Sequence, residues 1–351
     1  MILSSYLFLV TRTFLSKHSF MKRVLLSLLS LVMISSASAQ TKTYAEQLGF
    51  PAGKKVIIMH VDDVGMSYDS NEGAIKAIRD GVATSLSVMM PCAWVPGFMH
   101  YLKQNPDLDA GLHLTMTSEW KDYRWGPLAG KPTVKGLVDS EGAMWPSVAA
   151  VVKNATPDEV EIEIRAQLER ARTMGFEPTH MDSHMGTLFA TPTFLERYVK
   201  VGIQEKIPVM FPGGHNTAIQ VDEKMSAEMY AMTQTIGKQL WAAGLPVLDD
   251  LHNVSYGWKL PENPEPTKEK LQAFKTQKYI EGLQSLKPGL TMVIMHCTDP
   301  TEVFPIISGS TQTREGDLLA MIDPKLKAYI EKEGIILTTF REVMQRRQRV
   351  K

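Results

Sequence analysis

Lys54-Lys55-Val56-Ile57-Ile58-Met59-His60, running on into Val61-Asp62-Asp63, is the stretch from which the rest of the chain is read. It is short, apolar and rich in β-branched residues, and it does not alternate between apolar and polar positions. That pattern suits a strand buried on both faces, as in a parallel sheet covered by helices. It also ends on two acids. In a parallel α/β barrel the carboxyl ends of the strands converge on one mouth, where active sites sit. A buried strand finishing on Asp-Asp therefore marks a place to look for chemistry.

Outward from this strand the pattern repeats. A helix is expected from Asn71 to Arg79, with Ala74, Ile75 and Ile78 on one face and Gly81 as its stop. Ala83 to Met90 and Asp109 to Thr115 read as the second and third strands. Thr156-Pro157-Asp158-Glu159 is a strong helix start: Thr156 and Glu159 fit a capping box and Pro157 the first helical position. Val160, Ile164, Leu168 and Ala171 then recur at helical spacing until Gly175. His180 to His184 follows as a strand, Thr191-Pro192 opens another helix, and Pro208 to Phe211 is strand-like. Long helical patterns cover Ser226 to Ala243 and Thr267 to Leu286, and Thr291 to Cys297 is an apolar strand. A helix from about Glu315 leads to a last strand over Gly334 to Thr339.

Strands alternating with helices imply βα units and a parallel sheet, and about seven strand candidates fit a closed or nearly closed (β/α) barrel. No G-x-G-x-x-G or Walker pattern follows any strand, which argues against an open nucleotide-binding fold. Ser118 to Pro146 and Leu260 to Thr267 are irregular, but neither reads as a boundary, so a single barrel domain is expected over residues 40–351.

Lys plus Arg number 38 and Asp plus Glu number 38, so there is no basic excess to favour nucleic acid as a partner. The start of the chain is set apart from the fold. Met21-Lys22-Arg23 is basic, Val24 to Ile34 is apolar, and Ser35 to Ala39 ends in an A-x-A pattern. This reads as a secretory signal over residues 1–39, starting at Met21 and cleaved after Ala39. The apolar run is shorter than the ~20 residues that span a bilayer. A periplasmic or secreted protein with no stable membrane insertion is expected. Cys92 and Cys297 each close a predicted buried strand. Export would permit a disulfide, and burial would suit two inert thiols; both readings stay open.

Polar residues gather where strands end: Asp62-Asp63 on the first, His113 on the third, Asp182-Ser183-His184 on the fourth, His296 on the penultimate one. Singly, an Asp-Asp pair is often a turn or cap, and a histidine in an apolar strand is often a hydrogen-bonded core residue. Together they deliver carboxylates and imidazoles to one mouth. Two imidazoles and a carboxylate make a three-ligand metal site with open positions, and such a metal acidifies water and polarises carbonyls. If the strand persists, Asp62 and Asp63 point to opposite sides, so one can bind metal while the other acts as a base. His215, Asp249-Asp250 and His252 also lie by strand-like runs and are candidates to line the mouth, but not as metal ligands.

Val61-Asp62-Asp63-Val64-Gly65-Met66-Ser67, followed by Asn71-Glu72-Gly73, resembles the opening motif of the YdjC-like carbohydrate deacetylases, the ChbG/HpnK family. Gly81 to Ser87, Gly111-Leu112-His113-Leu114, and Gln167, Gly175 and Pro178 to His184 resemble its next motifs, and Val293 to His296 and Arg314-Glu315 its last. The likeness runs in order through nearly all of the chain beyond the leader. It implies a barrel of the NodB/polysaccharide-deacetylase kind and hydrolysis of an N-acetyl group on an amino sugar or oligosaccharide. It puts one divalent metal on Asp63, His113 and His184, makes Asp62 the base, and makes His296 the acid that protonates the leaving amine. Magnesium is the metal usual for the family; the donor set also suits zinc, manganese or cobalt. The chain departs from the family after His184, where Met185-Gly186-Thr187-Leu188 replaces further histidines. Trp120, Tyr123, Arg124 and Trp125, just beyond the His113 strand, are candidates to contact a sugar. Two other readings are a metal-dependent esterase or amidohydrolase on another acylated substrate, and a carbohydrate-binding protein on the same scaffold without catalysis.

Overall fold

Strand β1 (Lys55–Val64) lies at the centre of a parallel sheet that also contains β2 (Ser85–Val88), β3 (Ala110–Leu114), β4 (Met181–Ser183), β5 (Asp250–His252), β6 (Gly289–Met295) and β7 (Ile336–Leu337). The computed structural model describes residues 42–350, so the expected leader lies outside the described residues. The order across the sheet is β4-β3-β2-β1-β6-β5, with β7 beside the first part of β1. β1 pairs with β6 from Lys55 to Val61, with β7 at Val56 and Ile57, and with β2 from His60 onward. Neighbours on both edges and helices on the outer face explain its lack of alternation: Val56, Ile57, Ile58, Met59 and Val61 are all fully buried.

The ring closes through residues 208–213, which make single bridges where the sequence predicts a strand. Met181 N–H donates to the Pro208 carbonyl and Met210 N–H to the Met181 carbonyl, both at 2.8 Å. On the other side Gly213 N–H donates to Leu248 and Leu248 N–H to Phe211. Pro208 and Pro212 contribute no N–H, so a continuous ladder cannot form.

The helices start where capping chemistry puts them. Pro157–Thr173 opens on the full Thr156/Glu159 capping box, and Gly175 takes φ 80° after its end. Tyr68–Arg79 starts three residues before the expected Asn71, because Ser67 accepts the Ser70 N–H and caps it. The helix expected from Glu315 is two, Thr311–Met321 and Pro324–Lys332. Asp323 caps the second, and Pro324 cannot continue the first. Cys92 and Cys297 are both buried and unbonded to each other. No helix among the described residues is long and apolar enough to cross a membrane.

Candidate metal and catalytic site

The end of β1 does not alternate as a regular strand would. Asp63 has φ 64°, and the register against β2 slips between Val61 and Val64. Aspartate is among the few non-glycine residues that enter this left-handed region readily. The result corrects the expectation that the two acids diverge. Asp63 Oδ1 lies 3.2 Å from His113 Nε2, and Asp62 Oδ2 lies 3.8 Å from the same nitrogen. Gly65, at φ 85°, completes the bend. Its N–H donates to Asn71 Oδ1 at 2.7 Å, and a Cβ there would stand 2.6 Å from Val95 Cγ2.

Asp63, His113 and His184 meet at the mouth, from the ends of β1 and β3 and from just past β4. Asp63 Oδ1 is 3.1 Å from His184 Nδ1, and His184 Nδ1 is 3.2 Å from His113 Nε2. Ligands ~2.1 Å from a common ion sit roughly 3.0–3.4 Å apart, so the three atoms fit one divalent metal. The far nitrogens point the same way. His113 Nδ1 is 2.6 Å from Asp182 Oδ1, and His184 Nε2 is 3.0 Å from Glu119 Oε1. A carboxylate behind each imidazole takes its far nitrogen and so orients the near one toward the centre, the usual support of a metal-binding histidine. Arg314 Nη1 takes the second oxygen of Asp63 at 2.7 Å, leaving the first to face the histidines.

The charges here are strongly coupled. Burial alone would push the Asp63 carboxyl up, but Arg314 and His184 hold it well below the usual range. Burial pushes His113 and His184 down. Asp62 and Asp182 reverse this for His113, and Glu119 and Asp63 raise His184 to about 9.

His296, just past β6, sits with Nε2 3.9 Å from Asp62 Oδ2. Its backbone N–H donates to Asp317 Oδ2 at 3.0 Å, and Asp317 is gripped by the buried Lys275 at 2.8 Å and the Tyr279 hydroxyl at 2.7 Å. Burial lowers the His296 pKa. Its Nδ1 is buried without a hydrogen-bond partner among the described residues.

Of the four loop residues expected to meet a sugar, only Trp120 borders the centre, with its ring 6.5 Å from His184 and the Arg314 guanidinium 5.8 Å from its own centroid. The other three have their polar atoms engaged by the protein itself. Trp125 donates its indole N–H to the Thr117 carbonyl, Tyr123 its hydroxyl to Met66, and Arg124 bonds Asp139 and the Met144 carbonyl. His215, Asp249 and Asp250 are not at the mouth. Asp249 accepts from the amides of Tyr44, Ala45 and Leu290, and His215 bonds the Pro288 carbonyl, all at the start of β6. His252 packs outward against Trp258. Sequence reasoning missed Glu119, the anchoring role of Asp182, and Arg314 as the partner of Asp63. Asp182 had a readable trace, since it is the register partner of His113 across β3 and β4.

Residues 56–332 match the family model of the YdjC-like proteins. The chain is 29% identical over 290 residues to a carbohydrate deacetylase of Thermus thermophilus, covering 80% of this chain and 91% of that one. It is 28% identical over 287 residues to a carbohydrate deacetylase of Geobacillus stearothermophilus (81% and 96%). A chitooligosaccharide deacetylase of Yersinia enterocolitica is 32% identical over 136 residues, 37% of this chain and 49% of that one. In fold, the chain resembles the crystal structure of a candidate cellobiose-phosphate cleavage protein of Enterococcus faecalis V583. That likeness has a TM-score of 0.64 at 19% identity, over 82% of this chain and 98% of the other. On the breadth of the sequence match, the chain belongs to the YdjC-like family.

Proposed function

We propose that this protein is a metal-dependent hydrolase that removes an N-acetyl group from an amino sugar or oligosaccharide. One observation carries the reading: a nitrogen from each of two imidazoles converges on Asp63 Oδ1 within 3.2 Å while a second carboxylate stands behind each ring. The names of the relatives support the substrate class. Asp63, His113 and His184 would hold the ion, which would supply Lewis-acid polarisation of the amide carbonyl and acidify water. Zinc, manganese and cobalt suit these donors, and magnesium rests on the family resemblance alone.

The remaining work falls to the chain's own side chains. Asp62, beside the ligands, accepts a proton from the attacking water. His296, 3.9 Å from Asp62, takes up that proton and passes it to the amine as the C–N bond breaks, so that amide and water become acetate and free amine. Trp120 offers an apolar face to the sugar ring.

The test is acetate release from N-acetylated chitooligosaccharides alongside metal analysis. Asp62→Asn should cut turnover by at least ~100-fold while keeping its metal. His113→Ala and His184→Ala should lose the metal. Turnover of acyl esters with no acetate from any amino sugar would replace this reading with the esterase one, and sugar binding without metal would replace it with a binding protein.

We also propose export, on the secretory pattern of residues 1–39. The protein recovered from its native host should begin at Gln40 in the periplasm or medium; recovery from the cytoplasm with residues 21–39 intact would overturn this.

A further inference from the structure

We infer that His60 is a positioning residue that clamps Asp62 and Asp182 from beneath the mouth, aiming the base and, through Asp182, the metal-facing nitrogen of His113. The inference rests on the proposed function for the role of Asp62, but its contacts stand independently.

His60 lies in β1 with no exposed surface. Its Nε2 is 2.9 Å from Asp182 Oδ2, 3.2 Å from Asp62 Oδ1 and 3.0 Å from Ser87 Oγ, and its Nδ1 is 3.0 Å from Ser85 Oγ. One ring nitrogen is thus shared by carboxylates from two strands, β1 and β4. Each of those carboxylates uses its other oxygen at the site. Asp182 Oδ1 holds His113 Nδ1 at 2.6 Å, and Asp62 Oδ2 faces His113 and His296 at 3.8 and 3.9 Å. Two buried carboxylates this close repel each other unless a cation lies between them. Burial alone would keep the ring of His60 neutral, but the close carboxylates of Asp182 and Asp62 raise it to about 9.

The neighbouring His180 shows what a merely structural histidine looks like in the same core. It is equally buried, stacks on Phe340 at 4.0 Å between ring centroids, and is lowered to about 4 by burial and by His60. His60, His180 and Asp182 are also less suited to a second ion. His180 Nε2 stands 3.9 Å from Asp182 Oδ2, wider than the roughly 3.0–3.4 Å between ligands of one metal.

The test compares His60→Gln and His60→Leu in the otherwise unaltered protein. It measures zinc affinity by chelator competition, kcat and KM for acetate release, and Tm. Glutamine can keep an uncharged N–H near the Nε2 position; leucine keeps none. For His60→Leu we expect zinc affinity down ~10–100-fold, as for loss of other outer partners of metal ligands. We expect its kcat to fall by at least ~100-fold with KM within about threefold. His60→Gln should recover most of the zinc affinity and part of kcat. If His60→Leu does not fold, the kcat of His60→Gln decides: a fall with Tm unchanged supports the clamp, and a kcat equal to that of the original protein overturns it. Unchanged zinc affinity and kcat in a folded variant would overturn the inference. So would equal damage in both variants proportional to lost Tm, or loss of a second tightly held equivalent of zinc. Absence of acetate release by the original protein would overturn the proposed function alone, because zinc affinity still reports the clamp.

Discussion

The site turns on individual atoms whose partners lie far away in sequence. Arg314 supplies the buried cation that keeps Asp63 ionised before any metal arrives. Removing one member of a buried ion pair costs ~3–5 kcal/mol. Arg314→Met should therefore lower the Tm of the metal-free protein sharply, and saturating metal should restore much of it by binding only the folded state; calorimetry with and without metal checks this. Glu119 anchors His184 from a mostly buried position. Glu119→Ala should weaken metal binding by ~10–100-fold with little change in Tm, measured by chelator competition. At this scale the sequence is informative where a polar residue interrupts an apolar run, as at Asp62, Asp63, His113, His184 and His296. It is silent where contact depends on a loop or a distant helix. Glu119 looks like an ordinary charged residue, Arg314 stands in a family motif that does not reveal its partner, and Arg124 and Trp125 look like sugar contacts until their polar atoms are seen bonded in and beside their own loop.

Among the elements, the helices Pro157–Thr173 and Pro192–Glu205 show most directly how local chemistry becomes packing. Both open on a threonine cap followed by proline, and both caps are readable from the sequence. Thr156→Ala should cost about 1 kcal/mol, read as a lower denaturant midpoint at unchanged m. Glu161 ties the two helices together, accepting from Arg165, Arg197 and Lys200. Its burial pushes its pKa up, but Lys200, Arg165 and Arg197 outweigh this and hold it at about 2 against an ordinary 4.5. A depressed carboxyl stabilises the fold above its ordinary value and loses that effect as pH falls through the folded one. Glu161→Gln should therefore lower Tm by roughly 1–3 °C near neutrality, and the gap to the unaltered protein should close between about pH 4.5 and 2. Elements held by tertiary contacts were harder to read. Pro208 to Phe211 has the apolar character of a strand, yet its prolines leave only single bridges.

For the molecule as a whole, the barrel was legible because buried strands and capped helices alternate along the chain. The two ends of the barrel were not. Asp62-Asp63 and Asp249-Asp250 look alike on paper, but the first pair ends β1 while the second precedes β5 or opens it. One pair therefore faces the chemistry, and Asp249 staples amides at the opposite end. The seam at residues 208–213 is the thinnest part of the ring. Its amides should exchange with solvent faster than those of β1 and β6 in a native-state hydrogen-exchange experiment.

The left-handed turn at Asp63 has a consequence for engineering. An Asp-Asp pair grafted onto a regular strand of another barrel would send one carboxylate to the mouth and the other into the wall. A transplanted site would have to carry residues 61–71 as one piece: the register slip, the inverted dihedral of Asp63, the unsubstituted Gly65 and the Asn71 amide that hooks it. The portable unit is thus a backbone conformation, and a list of ligands copied without it would not rebuild the centre.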